Sequence, residues 1–170
     1  MVTAAKPSQP PITVDDLARM TTRDATDLYK RGSVPSMTVL DGAPAGRMLS
    51  VAGLDRGRVA ARLAKIAGSS AFPWAGKSFS ATGDDRGAGI NRIRLLGGRD
   101  WFPFDTLIGP SAVDGQPAII LDYDKPQNPW FIRKIHDELR EVAPDLYLGP
   151  AMWKTASGPR HLLYFAIDKQ

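Results

Sequence analysis

The sequence predicts a mainly β protein of the α+β class: an antiparallel meander closing into a small β-barrel or half-barrel, with N-terminal helices and one late helix. Three observations carry this reading. Strand-like runs follow one another from Ala75 to Asp168. Turn residues separate most of them at short spacing, which favours hairpins over crossover helices. A twisted meander of about six to eight such strands curls and closes on itself.

The elements follow in chain order. Residues 1–11 are rich in proline and read as a mobile arm, leaving 12–170 as one domain. Thr13 is a good N-cap, Asp15 and Asp16 fall where a helix dipole favours negative charge, and Gly32 ends the stretch, so one or two short helices are expected between Val14 and Lys30. Met37–Leu40 and Arg47–Val51 are short strand candidates. Gly42 to Arg47 has a superficial likeness to a phosphate loop but lacks the Gly-Lys-Ser/Thr ending. In Arg56–Ala67, Val59, Leu63 and Ile66 recur at helical spacing before Gly68.

Strands are then expected over Ala75–Ala81, Ala88–Leu96, Phe104–Pro110, Pro117–Tyr123, Leu146–Lys154 and His161–Asp168. Between the fourth and fifth of these, Asn128 is placed to cap a helix, with Pro129 at its first position. Ile132, Ile135, Leu139 and Val142 form its stripe and Pro144 stops it. Its charged residues, Lys134 with Glu138 and Asp137 with Arg140 among them, read as a solvated salt-bridged face.

Composition limits the function classes. At 43% hydrophobic and 24% charged residues the chain has the balance of a soluble globular protein. The net charge of +4 is spread over dispersed arginines with acids nearby, so nucleic acid is not an expected partner. The absence of cysteine excludes disulfides, thiolate catalysis and cysteine-ligated metal. The histidines, His136 and His161, form no ligand motif, and neither a metal nor a cofactor is expected. No apolar run has signal-peptide or membrane-spanning character, so cytoplasmic residence without membrane insertion is the expectation, and a homodimer is left open.

Candidate site residues fall into three groups. The run Ala118–Asp124 ends in Asp122 and Asp124 flanking Tyr123, and alternation puts the two acids on one side and Tyr123 on the other. Facing a cavity, either acid could serve as general acid or base; facing solvent, they merely solubilise a strand end. Lys77 shares a strand face with Phe79, and an inward Lys77 needs an anionic partner, for which Asp105, Asp122 and Asp124 are the candidates. Trp74, Asn91, Arg92, Phe104, Tyr147, Trp153, Lys154 and Tyr164 are the candidate ligand contacts, because aromatic side chains with a few polar handles suit a lipophilic ligand. They equally suit a filled core, and Trp74 reads most simply as a barrel-closing core residue.

The string Phe72-Pro73-Trp74-Ala75-Gly76-Lys77-Ser78-Phe79 resembles the lipocalin-like (calycin) group. It is most similar to uncharacterised bacterial families with a tryptophan–glycine–lysine–aromatic string at the start of the meander. The match falls on Trp74, Gly76, Lys77 and Phe79, while Phe72 stands where a Gly-x-Trp motif has its glycine. The resemblance implies a barrel enclosing an apolar pocket and no single activity. Two functions follow as expectations: binding of a lipophilic small molecule, or cofactor-independent cyclase- or isomerase-type chemistry in the same pocket. In the second, Asp122 or Asp124 would act as acid or base, with Lys77, Tyr147 or Lys154 as polarising donors.

Overall fold

A computed structural model describes residues 12–51, 74–94 and 99–170. Eight antiparallel strands form a closed up-and-down barrel in sequence order: β1 (Ala45–Val51), β2 (Trp74–Ala81), β3 (Arg86–Ile93), β4 (Arg99–Pro110), β5 (Pro117–Asp122), β6 (Ile135–Ala143), β7 (Leu146–Trp153) and β8 (Arg160–Asp168). Closure comes from β1 pairing with β8, with Ala45 opposite Asp168 and Met48 opposite Phe165. A closed sheet leaves no unpaired edge. The mainly β, barrel-forming expectation is met.

Two short helices precede the barrel, α1 (Val14–Arg19) and α2 (Thr22–Arg31). Thr13 starts α1 with a capping box in which its hydroxyl and backbone N–H both reach Asp16, and Thr21 caps α2 through Asp24 N–H. Both helices lie on the outside of the barrel. Leu17, Leu28 and Tyr29 pack there on Ala118, Ile120, Leu146, Leu148, Tyr164 and Ala166, the outward residues of β5, β7 and β8.

The barrel interior forms a separate core. Leu40, Phe79, Ile119, Leu139, Tyr147 and Ile167 fill much of it. Strand alternation therefore runs apolar on both faces wherever the helices cover the outside, which is why β5 reads as a continuous apolar run.

Two expectations are corrected. Met37–Leu40 is a 3-10 turn, with Met37 and Leu40 buried against the barrel. The late helix is absent: after a 3-10 turn at Ile132–Lys134, the chain runs as β6. The residues given a helical stripe pair in register with both neighbours, Leu139 opposite Ile119 and His136 opposite both Asp122 and Met152. Pro144 ends a strand and opens a tight turn to β7 in which Asp145 takes φ 61°. Asn128 is a buried bridge, its amide donating to Pro103 O (2.8 Å) and Tyr123 O (2.9 Å). The helix expected at Arg56–Ala67 and the arm at 1–11 lie outside the described residues.

Candidate functional site

A cavity of about 230 Å³ occupies the barrel at the end where β2 begins and β7 finishes. Its walls are apolar: Met48, Ile93, Ile132, Ile135, Ala151 and Leu163, joined by the rings of Trp74, Phe102 and Phe165. Lys77, Asn91, Tyr123 and Asp137 also line it and are its polar groups among the described residues.

Two irregularities shape this end. Between Trp74 and Gly76 the register of β2 slips by one residue against β3, and Gly76 takes φ 128°. A Cβ at Gly76 would stand 2.5 Å from Pro44 O, so only glycine admits β1 there. The second slip falls on β4, where Asn91 pairs with Trp101 and Ile90 with Pro103, leaving Phe102 as an extra residue at φ 60°. That bulge lets the Phe102 ring line the cavity while its carbonyl accepts from Asn91 Nδ2 (3.3 Å).

The polar groups form one network. Lys77 Nζ donates to Asn91 Oδ1 (2.9 Å), Tyr123 Oη (2.5 Å) and Asp137 Oδ2 (2.9 Å). The Tyr123 hydroxyl donates to Asp137 Oδ2 (3.0 Å), and the indole of Trp74 donates to Asn91 Oδ1 (3.0 Å). Both charged side chains are almost fully buried, Lys77 at 4% and Asp137 at 5% exposure. A charge so placed is tolerated only with a partner and hydrogen bonds. The ammonium also lies 5.0–5.4 Å from the ring centres of Trp74, Phe104, Tyr123 and Phe165, an aromatic surround that attracts a cation. Burial lowers the Lys77 pKa, against the opposing pull of Asp137. Burial beside the Asp137 charge holds the Tyr123 phenol well above its usual value.

The structure sorts the candidates. Lys77, Trp74 and Asn91 reach the cavity, and Phe104 lies behind it, packed on Tyr123 with ring centres 5.2 Å apart. Asp122 and Asp124 do not line the cavity. Asp122 pairs with Lys154 (2.8 Å) and Asp124 with Arg133 (2.6 Å), both partly exposed. Alternation separates them from Tyr123, and it is Tyr123 that points inward. The partner of Lys77 is therefore none of the three acids expected, since Asp105 pairs with Lys125.

Arg92 points away from the cavity and donates to Pro44 O. Trp153 does not line the cavity either. Tyr147 is buried in the filled part of the barrel, its phenol pushed up to about 12 by burial. Tyr164 faces outward under α2 and donates to Thr26 (2.9 Å). Among the described residues no cluster of three or more His, Asp or Glu side chains could hold a metal ion.

Asp137 is a cavity-lining residue that sequence reasoning missed. A helical reading of 129–143 put it on a solvated face, whereas in β6 Ile135, Asp137 and Leu139 point inward. The available signal was Pro144-Asp145 directly before the strand-like Leu146–Trp153, because so short a connection makes the preceding segment a hairpin partner.

The outward residues of β6 build a second buried cluster. Glu138 accepts from Tyr29 Oη (2.6 Å), Ser111 Oγ (2.5 Å) and Ala112 N (2.7 Å), with His136 Nε2 at 2.9 Å. Burial raises the Glu138 pKa, but these hydrogen bonds together hold it below the usual value. Arg140 clamps Asp114 with two bonds (2.7 and 2.8 Å) and donates its other protons to Pro117 O, Gln116 O and Tyr29 O.

No family model matches the chain, and no curated protein matches it either. Among solved structures, a protein from Thermomonospora curvata is similar, with 18% identity, a TM-score of 0.55 and coverage of 89% of this chain and 88% of that one. That likeness is one of fold: the chain is a closed eight-stranded antiparallel barrel, consistent with a lipocalin-like barrel, that shares its architecture with the Thermomonospora curvata protein.

Proposed function

We propose that this protein binds a lipophilic small molecule inside the barrel. One observation carries the reading: the cavity has apolar walls and one compact polar network, Lys77–Asp137–Tyr123–Asn91, set within them. Convergent polar groups in an otherwise apolar concavity are what fix the orientation of a small ligand. Trp74, Phe102 and Phe165 would supply most of the contact area. The test is native mass spectrometry of protein purified from its own host, paired with thermal-shift measurements over a lipid and polyketide panel. A co-purifying small molecule, or stabilisation by one chemical class, is the expected result. An empty protein that no panel member stabilises would sink the reading.

The same network supports a second reading, cofactor-independent acid–base chemistry on a lipophilic substrate. What favours it is the proximity of three titratable groups, with the Lys77 and Tyr123 pKa values displaced in opposite directions. In that reading Asp137 takes the role expected of Asp122 or Asp124, and Tyr123 that of the polarising hydroxyl. Recovery of the host ligand unaltered after prolonged incubation separates binding from conversion.

A further inference from the structure

The cavity end of the barrel differs from the far end in what it shows to solvent. Among the described residues three aromatic side chains are exposed, Trp130 (71%), Trp101 (46%) and Phe131 (45%), and all three stand at the cavity end. Trp130 and Phe131 lie in the connection from β5 to β6, and Trp101 lies near the start of β4. Leu162, near the start of β8, is exposed at the same end. The β5–β6 connection divides its apolar residues. Ile132 turns in to line the cavity, while Trp130 and Phe131, with ring centres 5.9 Å apart, stay in solvent. The other large apolar residues exposed in the described chain are aliphatic: Val39, Leu107 and Ile108. Adjacent exposed rings mark a surface that something apolar covers.

Charge divides the same way among the described residues. At the far end Asp41, Asp84, Asp85, Asp145 and Asp168 outnumber Arg86 and Lys169. At the cavity end three acids are taken up by ion pairs, Asp105 with Lys125, Asp122 with Lys154 and Asp124 with Arg133. Asp100 is the acid left there, whereas Lys134 and Arg160 are exposed and make no ion pair among the described residues. Strand register sets these two cations on one stretch of the rim. Ile135 is opposite Trp153 and Trp153 opposite Arg160, and Lys154 N–H donates to Lys134 O (2.7 Å). Beside them a cleft of about 310 Å³ is lined by Trp130, Arg133, Lys134 and Lys154, with Asp124 as its acid.

Exposed rings interleaved with cations, drawn from separate elements around one rim, suit a partner that is fluid, apolar beneath and negative on top. A tryptophan ring is favourable at head-group level, and lysine or arginine beside it meets phosphate while its stem stays in the apolar layer. We infer that the cavity end of the barrel is a docking face for an anionic phospholipid surface, with Trp130 and Phe131 in the head-group layer and Lys134 and Arg160 against lipid phosphates. The inference goes beyond the ligand-binding reading and stands on surface residues alone. Docked in this way, the cavity end faces the lipid from which an apolar ligand would come.

The test is co-flotation of the full chain, stripped of small molecules, with vesicles of phosphatidylcholine alone or with about a third of the lipid replaced by phosphatidylglycerol. Binding to the anionic vesicles should be at least about tenfold tighter than to the neutral ones, and should weaken as salt is raised. Trp130→Ala/Phe131→Ala should weaken it by at least about tenfold. Lys134→Glu should weaken it by at least about fivefold, the worth of one cation near such a surface. Arg86→Glu, an equal charge change at the far end, should leave it within about twofold. Bromine-labelled acyl chains should quench the tryptophan emission of the native chain, a readout that needs no variant.

A native chain that does not float with anionic vesicles at low salt overturns the inference. Equal binding to neutral vesicles does so too, as does equal weakening by Arg86→Glu and Lys134→Glu. If the native chain dimerises in sedimentation and Trp130→Ala/Phe131→Ala stays monomeric, the face belongs to a second copy. If a single-stranded oligonucleotide binds more tightly than the vesicles, it belongs to nucleic acid. Either result overturns the inference. Because flotation is measured without a cavity ligand, its failure leaves the ligand-binding reading standing, and an empty cavity leaves the docking result unchanged.

Discussion

Strand β6 carries two buried polar clusters back to back, and they differ in completeness. Around Glu138 and Arg140, on the outer face, both carboxylate oxygens and all five guanidinium protons have partners. Those partners come from α2, from the β4–β5 hairpin and from the neighbouring His136, so the cluster ties the helices to the barrel. Around Asp137, on the inner face, the donors are engaged, while Asp137 Oδ1 is buried and meets no donor among the described residues. A finished network rigidifies a fold; an unfinished one carries the desolvation cost of its unpaired atom.

The largest expected effect tests this contrast directly. Glu138→Leu strips the shared acceptor from Tyr29, Ser111, Ala112 N–H and His136, and should cost on the order of 3–5 kcal/mol in denaturant unfolding. Lys77→Met should cost a similar amount, on the order of 3–5 kcal/mol, because Asp137 then stays buried without a counter-charge. The two clusters part company in the double variants. Lys77→Met/Asp137→Leu should recover much of that loss, since an apolar pair replaces a compact ion pair, and should remain about 1–3 kcal/mol below the native chain for the Tyr123 hydroxyl that loses its acceptor. Glu138→Leu with Tyr29→Phe should not recover, because Ser111, Ala112 N–H and His136 still lack their acceptor. If the inner double variant is as unstable as Lys77→Met alone, the inner cluster is as structural as the outer one.

A smaller effect comes with pH. Glu138 and Asp114 have folded pKa values below their unfolded ones, Glu138 through its hydrogen bonds and Asp114 chiefly through Arg140. The folded state therefore binds fewer protons than the unfolded state as acid is added. Their contribution to stability is fully present above the unfolded carboxylate range of about 4. It is lost as pH falls through the lower folded values. Unfolding free energy measured from pH 6 downwards should decline in that window, and Glu138→Gln should flatten the decline. An unchanged slope in that variant would remove Glu138 from the account.

The smallest effects are expected at the partly exposed ion pairs. Asp122→Asn and Asp124→Asn each release one such bond, to Lys154 and Arg133, and should change stability by less than about 1 kcal/mol. Neither should alter ligand affinity. A tenfold loss of affinity in either variant would move the site from the interior to the surface.

The sequence made the barrel legible through its turns and its β-rich runs, because hairpin chemistry and alternation are local. It also pointed to Lys77 as an inward cation in need of a partner. The partner stayed hidden for a physical reason. In β6 the residues His136 to Arg140 are polar or charged in four positions of five, with only Leu139 apolar. Such a run reads as a solvated helix unless it is known that both faces will be covered. Tertiary pairing overrode local propensity there, with β5 and β7 on either side and α2 outside. The direction of Asp122, Tyr123 and Asp124 was equally non-local: alternation separates the phenol from the acids but does not say which side is the inside.

Phe102 has a consequence for redesign. Its backbone sits in the left-handed region at φ 60°, which for a residue with a side chain costs about 1–2 kcal/mol. Glycine at this position would relieve that cost and remove a ring from the cavity wall in the same step. Enlargement of a binding space usually trades against stability. Here the relieved backbone strain offsets part of the packing lost with the ring, which makes the bulge of β4 the natural starting point for adapting this barrel to bulkier guests.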